Sequence, residues 1–430
     1  MRYKYVSVFG LAKSGIAAAK RLAKLGARVL VTEIKPAEQV DPSIVKELQD
    51  MGVDLELGGH SPAAIEKAEL IVVSPDVHLD IPILEQAKQK GIPIISEIEL
   101  AYQLLKKPLI AVTGTNGKTT VTTLIGEMLK AGGKKVAVAG NIGTPLISVD
   151  DSSLDYLVAE ISSYQLETTV DFRPWISVIL NIQPDHLERH KTMAEYIKQK
   201  QRIFKNQTSS DYLIYNQDDP QVVKMVKGAK SKLIGFSKKK AKLLGLAPSK
   251  IKIPGEHNLE NSLAAANAAD LCSINKETIA QTLRAFPGVE HRIEFVAEKN
   301  GVSFYNDSKA TNPASTIVAI KTFFGQGIIL ILGGKDKGVS LVEMIKLIKK
   351  KVKNVILLGE AAQRFEQELR KAGYNNIHLA KSLEDAVTLS LSLAKKGDIV
   401  LLSPACASFD MFKNFEERGK RFKEICASKL

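Results

Sequence analysis

The chain has 430 residues, 45% hydrophobic and 25% charged, the balance of an ordinary soluble globular protein, which excludes a disordered, fibrous or disulfide-stapled chain. No window approaches the roughly 18 consecutive apolar residues that would cross a membrane. The formal net charge of +13 admits either a polyanion or small anionic substrates as partners.

Read in chain order, the first residues, Met1 to Ser14, hold a short apolar stretch flanked by charge with no small-residue cleavage site, and are expected to form a strand rather than a signal peptide. Apolar runs at 5–9, 28–32, 70–73 and 92–95 alternate with amphipathic stretches such as 16–25. That alternation predicts parallel βαβ units. A second series runs through 109–112, 135–138, 156–159, 176–180 and 212–214, and a third, after Pro287-Gly288, through 302–305, 328–332, 355–358 and 398–402. The expected fold class is α/β in three domains, 1–96, 97–288 and 289–430. The basic residues are scattered, and the densest run, Lys238-Lys239-Lys240, has no interleaved aromatics, so no nucleic-acid partner is expected. Three cysteines, Cys272, Cys406 and Cys426, without a CxxC pair fit a reduced, cytoplasmic setting with no membrane partner. No heptad or long apolar stripe suggests self-association, and a monomer is expected.

The strongest local signal is the strand–loop–helix segment Ala111-Val-Thr-Gly-Thr-Asn-Gly-Lys-Thr-Thr120. Glycines let backbone N–H groups converge on phosphates, the helix N-terminus adds positive potential, Lys118 adds a point charge and Thr119 offers a hydroxyl to Mg²⁺. The spacing is shorter than the usual GxxxxGK[ST], since Val112 stands at the first glycine position. Glu160 ends the next apolar run, where a carboxylate projects at the ligand-binding edge of a parallel sheet or caps the following helix. His186 follows another run and is a candidate metal ligand at the same edge. Lys200 shares a helical face with Tyr196, Ile197, Ile203 and Phe204. On that face its amine either snorkels to water or loses charge by desolvation, and a neutral amine can take up CO₂ as a carbamate. The loop Gly10-Leu-Ala-Lys-Ser-Gly15 lacks the middle glycine of a dinucleotide fingerprint. An anion site there, with Glu33 reaching a ribose or base, and a plain structural turn both remain open. Near the C-terminus, Asn306-Asp-Ser-Lys-Ala-Thr-Asn312, Gly333-Gly-Lys-Asp-Lys-Gly338 and Ser403-Pro-Ala-Cys-Ala-Ser-Phe-Asp410 follow strands, and Phe409, Phe412, Phe415 and Phe422 read mostly as core by their spacing. Cys406 has no nearby histidine and is read as a packed residue.

Together these segments resemble the Mur ligase family over essentially the whole chain, through Gly114-Thr-Asn-Gly-Lys-Thr119, Glu160-Ile-Ser-Ser-Tyr-Gln165, Asp185-His186, Lys200-Gln-Arg202, Gly255-Glu-His-Asn-Leu-Glu-Asn261, His291-Arg292 and the 306–312 and 403–410 segments, the last two pointing to its D-glutamate branch. The resemblance implies a Rossmann-like first domain, a P-loop ATPase-like central domain and a Rossmann-like third domain that closes over ATP. It implies ATP-dependent amide-bond formation between UDP-N-acetylmuramoyl-L-alanine and D-glutamate, through an acyl phosphate, in peptidoglycan precursor synthesis. Lys118, with Gly114, Thr115, Asn116, Gly117, Thr119 and Thr120, would hold the ATP phosphates. Thr119 and Glu160 would hold one Mg²⁺, and His186 with a carbamylated Lys200 a second. Asn261, Arg292 and Asp307 match nucleotide contacts. Ser14, Glu33, Asn141, Ser162 and Gln165 match contacts to the UDP substrate, and Lys309, Thr311, Lys337, Ser408, Phe409 and Phe415 those to the amino acid. Folate polyglutamylation, a nucleic-acid-stimulated P-loop motor and an NAD(P) oxidoreductase are the rival readings.

Overall fold

Short apolar runs separated by helices become parallel strands covered on both faces, and so buried along their whole length. The computed structural model describes residues 3–239, 251–253, 255–323, 325–336 and 338–429. The chain divides into two units, Met1–Pro248 with Glu260–Leu283, and Ser249–Leu259 with Arg284–Leu430.

The first unit carries two sheets. In the first, β1 (Tyr5–Phe9), β2 (Arg28–Glu33), β3 (Asp54–Leu57), β4 (Leu70–Val73) and β5 (Ile94–Ser96) pair in the order β3-β2-β1-β4-β5. In the second, β6 (Leu109–Thr113), β7 (Val136–Gly140), β8 (Tyr156–Glu160), β9 (Ile176–Ile179), β10 (Tyr212–Asn216) and β11 (Lys232–Phe236) pair in the order β11-β10-β9-β6-β8-β7. Every pairing in both is parallel. The order reverses its direction of growth at β1 in one sheet and β6 in the other. Ligands bind at such switch points, outside the carboxyl ends of the strands. All five residues of β6 are buried, and the helix Lys118–Ala131 packs on its sheet so closely that a Cβ at Gly126 would collide with Val138. At the opposite, amino-terminal edge lies Trp175, the chain's single tryptophan. It stacks on Tyr156 at 5.9 Å and meets Tyr212 edge-on at 6.0 Å.

Two buried carboxylates in the first turn of the helix Glu97–Leu104 bind the central sheet's connections to the helix that follows β5. Glu99 accepts from the N–H groups of Val170 (2.9 Å), Asp171 (3.1 Å) and Phe172 (3.0 Å). Glu97 Oε1 accepts from Ile147 N–H at 2.7 Å, whereas its Oε2 is buried and has no hydrogen-bond partner among the described residues. Burial pushes the Glu97 carboxyl up to about 7.

In the second unit β12 (Glu294–Lys299), β13 (Val302–Asn306), β14 (Ile328–Gly333), β15 (Val352–Leu358), β16 (Ile377–Leu379) and β17 (Ile399–Leu402) pair in the order β12-β13-β17-β14-β15-β16, with only β12 antiparallel to its neighbour. β14 and β17 are buried throughout. Among the described residues no helix is long and apolar enough to cross a membrane. Four strands found here were not expected from the sequence: β3, β11, β12 and β16. Each is a sheet edge that carries charged or exposed residues, a pattern that protects edges from stray pairing.

Glu99→Ala removes the acceptor from three backbone donors and is expected to destabilise the protein by about 3 kcal/mol or more, read from the urea midpoint. Glu97 binds its proton more tightly folded than unfolded, so its contribution to stability falls as pH rises from the ordinary glutamate range toward 7. Glu97→Gln should remove that loss, leaving the variant more stable relative to wild type at pH 8 than at pH 4, as measured by unfolding at the two pH values.

Candidate active site

The loop after β6 needs glycine twice. Gly114 has φ 152° and Gly117 φ 85°, and a Cβ on Gly117 would collide with Asn261 Oδ1. Only glycine meets both demands without strain. Between them, Thr115 and Asn116 are locked to the connection after β9. Thr115 N–H donates to Asn181 O at 2.9 Å and Asn116 N–H to Asn181 Oδ1 at 2.8 Å. Asn181 Nδ2 returns a bond to Asn116 O at 3.0 Å, and Gln183 N–H donates to Thr115 Oγ1 at 3.0 Å. The loop therefore holds its shape through protein contacts. Gly117 caps the helix Lys118–Ala131 in the left-handed conformation, so Lys118, Thr119 and Thr120 form its first turn. Backbone donors at a helix N-terminus are the kind of arrangement that suits an anion.

Acidic and amide groups close on that turn from neighbouring strands. Glu160 ends β8, 3% exposed. Its Oε2 accepts from Thr119 Oγ1 at 2.7 Å and its Oε1 from Asn141 Nδ2 at 2.8 Å. A hydroxyl and a carboxylate oxygen so close are hard donors of the kind Mg²⁺ takes, with phosphate and water filling the rest of its shell. Among the described residues no three His, Cys, Asp or Glu side chains cluster into a ready-made metal cage. Such a cage is not needed where the substrate brings ligands of its own. Ser162 caps the helix Ser163–Leu166 in a reciprocal capping box with Gln165.

Lys200, in the helix Met193–Gln201, is 1% exposed. Its amine donates to Gly114 O at 2.9 Å and sits 4.7 Å from the centre of the Tyr196 ring. Lys118 donates to the same Gly114 oxygen at 2.9 Å and to Thr115 O at 2.8 Å. Burial and, second, the Lys118 charge hold the Lys200 amine well below the ordinary lysine range, against the pull of Asp185 and Glu160. The amine does not snorkel. Tyr196 OH meets Thr115 Oγ1 at 3.0 Å, and burial pushes this phenol above its ordinary range.

His186 caps the short helix Leu187–His190 with φ 53°. Its Nδ1 lies 2.9 Å from Tyr164 OH and its Nε2 3.4 Å from Asp185 Oδ2. Burial raises the Tyr164 phenol to about 12. Nearby, His190 Nε2 lies 2.9 Å from Ser163 Oγ, and burial lowers this imidazole below the ordinary histidine range.

In the first sheet, Ser14 lies in the first turn of the helix Lys13–Lys24. Glu33 ends β2, where its carboxylate accepts from Leu11 N–H at 2.6 Å and Lys35 N–H at 3.1 Å. Glu33 thus clamps the Gly10–Gly15 loop. Gly15 is required there, because a Cβ would collide with Gly10 O.

The second unit gathers the remaining candidates. Asp307 follows β13 and is 4% exposed. It accepts from Ser403 Oγ at 2.7 Å and Ile293 N–H at 3.2 Å, and burial, opposed by Ser403 and Arg292, raises its carboxyl to about 7. The burial and charge that surround His257, the latter from Arg292, lower its imidazole to about 4. Lys309 Nζ sits 5.7 Å from the centre of the Phe415 ring, with Thr311 in the same loop. Ser408 is buried, whereas Phe409 is 71% exposed, which corrects the reading of Phe409 as core. It stands in the loop between β17 and the helix Phe415–Lys429, so helical spacing does not govern it. Phe422 is fully buried. Lys337 lies outside the described residues. Lys335 pairs with Glu360 at 2.8 Å. Cys406 is buried and its thiol pushed up to about 12, as suits a packed residue.

Sequence reasoning missed Arg418. It is 1% exposed and donates to Ser308 Oγ (2.9 Å), Ser308 O (2.8 Å), Cys406 O (3.0 Å) and Ala407 O (3.2 Å), tying the 306–312 and 403–410 loops together. Its signal was present: Phe415, Arg418, Gly419 and Phe422 fall on one helical face. Asn181 and Gln183 were also missed, since loop polar residues carry no periodic signature, and Tyr164, in the helix Ser163–Leu166, was quoted only as part of a motif and given no role.

With this geometry in view, the chain was compared with known proteins. Residues 4–96 match the Mur ligase MurD-like N-terminal domain, 112–269 the Mur ligase middle domain and 291–406 the Mur ligase glutamate ligase domain. A protein of Caldanaerobacter subterraneus named UDP-N-acetylmuramoylalanine--D-glutamate ligase is 47% identical, covering 99% of this chain and 98% of its own. One of the same name from Pelotomaculum thermopropionicum is 44% identical over the same shares. The crystal structure of UDP-N-acetylmuramate-alanine ligase from Thermotoga maritima shares the fold, with a TM-score of 0.58 at 19% identity over 100% of both chains. Three consecutive domain matches and near-full-length identity of this order lead to one conclusion: the chain belongs to the Mur ligase family.

Proposed function

We propose that the chain joins D-glutamate to UDP-N-acetylmuramoyl-L-alanine in peptidoglycan synthesis, converting ATP to ADP and phosphate. The observation that carries this reading is the near-full-length identity of 42–47% to relatives that bear the name of that ligase. A carboxylate oxygen of the alanyl group attacks the γ-phosphorus of ATP and ADP leaves. The amine of D-glutamate then attacks the acyl-phosphate carbon, phosphate leaves, and the nitrogen loses its proton as the amide forms.

The chain's own residues suit the demands of these steps. The N–H groups at the start of the helix, residues 117–119, and the Lys118 ammonium hold the β- and γ-phosphates, while Thr115 and Asn116 keep the loop in shape. Lys118 exchanges its bonds to Gly114 O and Thr115 O for phosphate oxygens. Thr119 and Glu160 would hold one Mg²⁺, and His186 with Lys200 a second, and these ions would supply neutralising charge around the transferring phosphoryl group. Asn141, Ser162 and Gln165 line the path of the alanyl group. Ser14 and Glu33 take the uridine diphosphate. Asn261, Arg292 and Asp307 contact the nucleotide, and Lys309, Thr311, Lys337, Ser408, Phe409 and Phe415 receive D-glutamate. A cytoplasmic monomer is the setting this reading expects.

Lys200 acts as a carbamate in this reading. Its nitrogen lone pair attacks CO₂, a C–N bond forms, and the nitrogen's proton goes to water. Desolvation, which holds the amine below its ordinary range, keeps that lone pair available. The resulting anion is then countered by Lys118 and the metal.

Phosphate release from ATP should require both UDP-N-acetylmuramoyl-L-alanine and D-glutamate, with a product mass equal to the amide. Release that needs neither, or that follows nucleic acid or folate instead, overturns the reading. Lys200→Ala should lower turnover at least about 100-fold, and a small carboxylate such as formate should restore part of it. Intact-protein mass after rapid CO₂ removal should show the loss of one CO₂ from wild type alone.

A further inference from the structure

Tyr164 is absorbed by none of the roles above, yet its hydroxyl touches the candidate histidine. It lies 2.9 Å from His186 Nδ1 and donates to Glu188 Oε1 at 3.3 Å. The ring is seated on three sides. The Arg189 guanidinium carbon lies 5.1 Å from its centre, the His190 ring 5.5 Å away and the His186 ring 4.9 Å away. Those neighbours are themselves fixed. Arg189 is held by both oxygens of Glu167, at 3.2 and 2.7 Å, and by Val77 O at 2.8 Å. His190 is held by Ser163 Oγ at 2.9 Å.

We propose that Tyr164 is a positioning residue that fixes the tautomer of His186, leaving its Nε2 unprotonated and available to a divalent cation. The argument is one of proton inventory. A phenol has one proton to give, and an ionised carboxylate can only accept. Glu188 Oε1 lies 3.3 Å from the phenol oxygen and 3.5 Å from Nδ1 itself, so it draws the Tyr164 proton and also favours a proton on Nδ1. The phenol oxygen then accepts from His186 Nδ1, which carries the ring proton. Nε2 is left with its lone pair, 3.4 Å from Asp185 Oδ2. Two electron-rich atoms facing each other at that distance are stabilised by a cation between them. A proton on Nε2 is the competing state, and the bond at Nδ1 biases against it. Metal-ligating histidines regularly donate their other N–H in this way, and loss of such a partner typically costs about 10–100-fold in metal affinity or activity. The inference rests on His186 serving a metal in the proposed reaction, but its first readout needs neither metal nor substrate.

The test is long-range ¹⁵N–¹H correlation of the ¹⁵N-histidine-labelled full chain at pH 8, with the His186 signal assigned by its loss in His186→Gln. Wild type should show the Nδ1-protonated pattern. Tyr164→Phe, which keeps the ring and its seat, should move the signal to the Nε2-protonated pattern. Glu188→Ala, at an exposed site, should move it the same way, because the phenol proton is then free to point at Nδ1. In the presence of ADP, Tyr164→Phe should weaken Mg²⁺ binding about tenfold or more, while ADP alone binds as before. A wild-type signal of the Nε2-protonated or doubly protonated form overturns the proposal. So does a pattern unmoved by Tyr164→Phe, whatever Glu188→Ala does, because Glu188 also faces Nδ1 directly at 3.5 Å. Loss of D-glutamate-dependent activity in wild type would instead strike the functional reading and leave the tautomer assignment standing.

Discussion

Two lysine side chains share one acceptor. Lys118 and Lys200 both donate to the Gly114 carbonyl at 2.9 Å, one from the phosphate loop's own helix and one from a helix some eighty residues later. Two full positive charges so close repel strongly, and more so out of water. Burial and that repulsion together hold the Lys200 amine well below the ordinary lysine range. The division of labour at this edge follows from that unequal sharing. The proposed function gives Lys118 to the phosphates. It gives the lowered Lys200 amine, within electrostatic reach of Glu160, to CO₂. The loop can support both because its backbone is pinned by Asn181 and Gln183 without help from a ligand. Little reorganisation is then left to be done when nucleotide arrives.

Much of this could be read from the residues alone, for particular reasons. The β6 run and the glycines at 114 and 117 announce a strand, a loop and a helix because buried parallel strands must be apolar and left-handed turns must be glycine. Lys200 was visible as a charge on an apolar face, although the face itself could not say whether the amine reached water. Only the packing of Tyr196 and the Gly114 carbonyl decided that. The edge strands β3, β11, β12 and β16 were illegible because Glu56, Gly235, Glu298 and His378 cut their apolar runs short, whereas the edges β5 and β7 keep theirs. Phe409 misled for the opposite reason. It is apolar and correctly spaced, but the chain there is a loop, and spacing has meaning only inside a helix.

In the second unit an equivalent part is played by Arg418. A planar guanidinium can satisfy several carbonyls at once, and this one binds the loops that follow β13 and β17 from beneath. The side chains those loops present, Asp307, Lys309 and Ser408, thus rest on a cation that need not touch any substrate. Burial lowers the Arg418 guanidinium to about 10, still far above neutrality, so the brace stays charged under ordinary conditions.

Trp175 sits at the amino-terminal ends of the central strands, the edge away from the phosphate loop, and no other tryptophan exists in the chain. Its emission is therefore a private reporter of one sheet. The β12–β17 sheet contributes nothing to that signal, whereas far-ultraviolet dichroism sums over the whole chain. Recording both through one denaturation reveals whether the central sheet and the rest of the molecule come apart together or in turn.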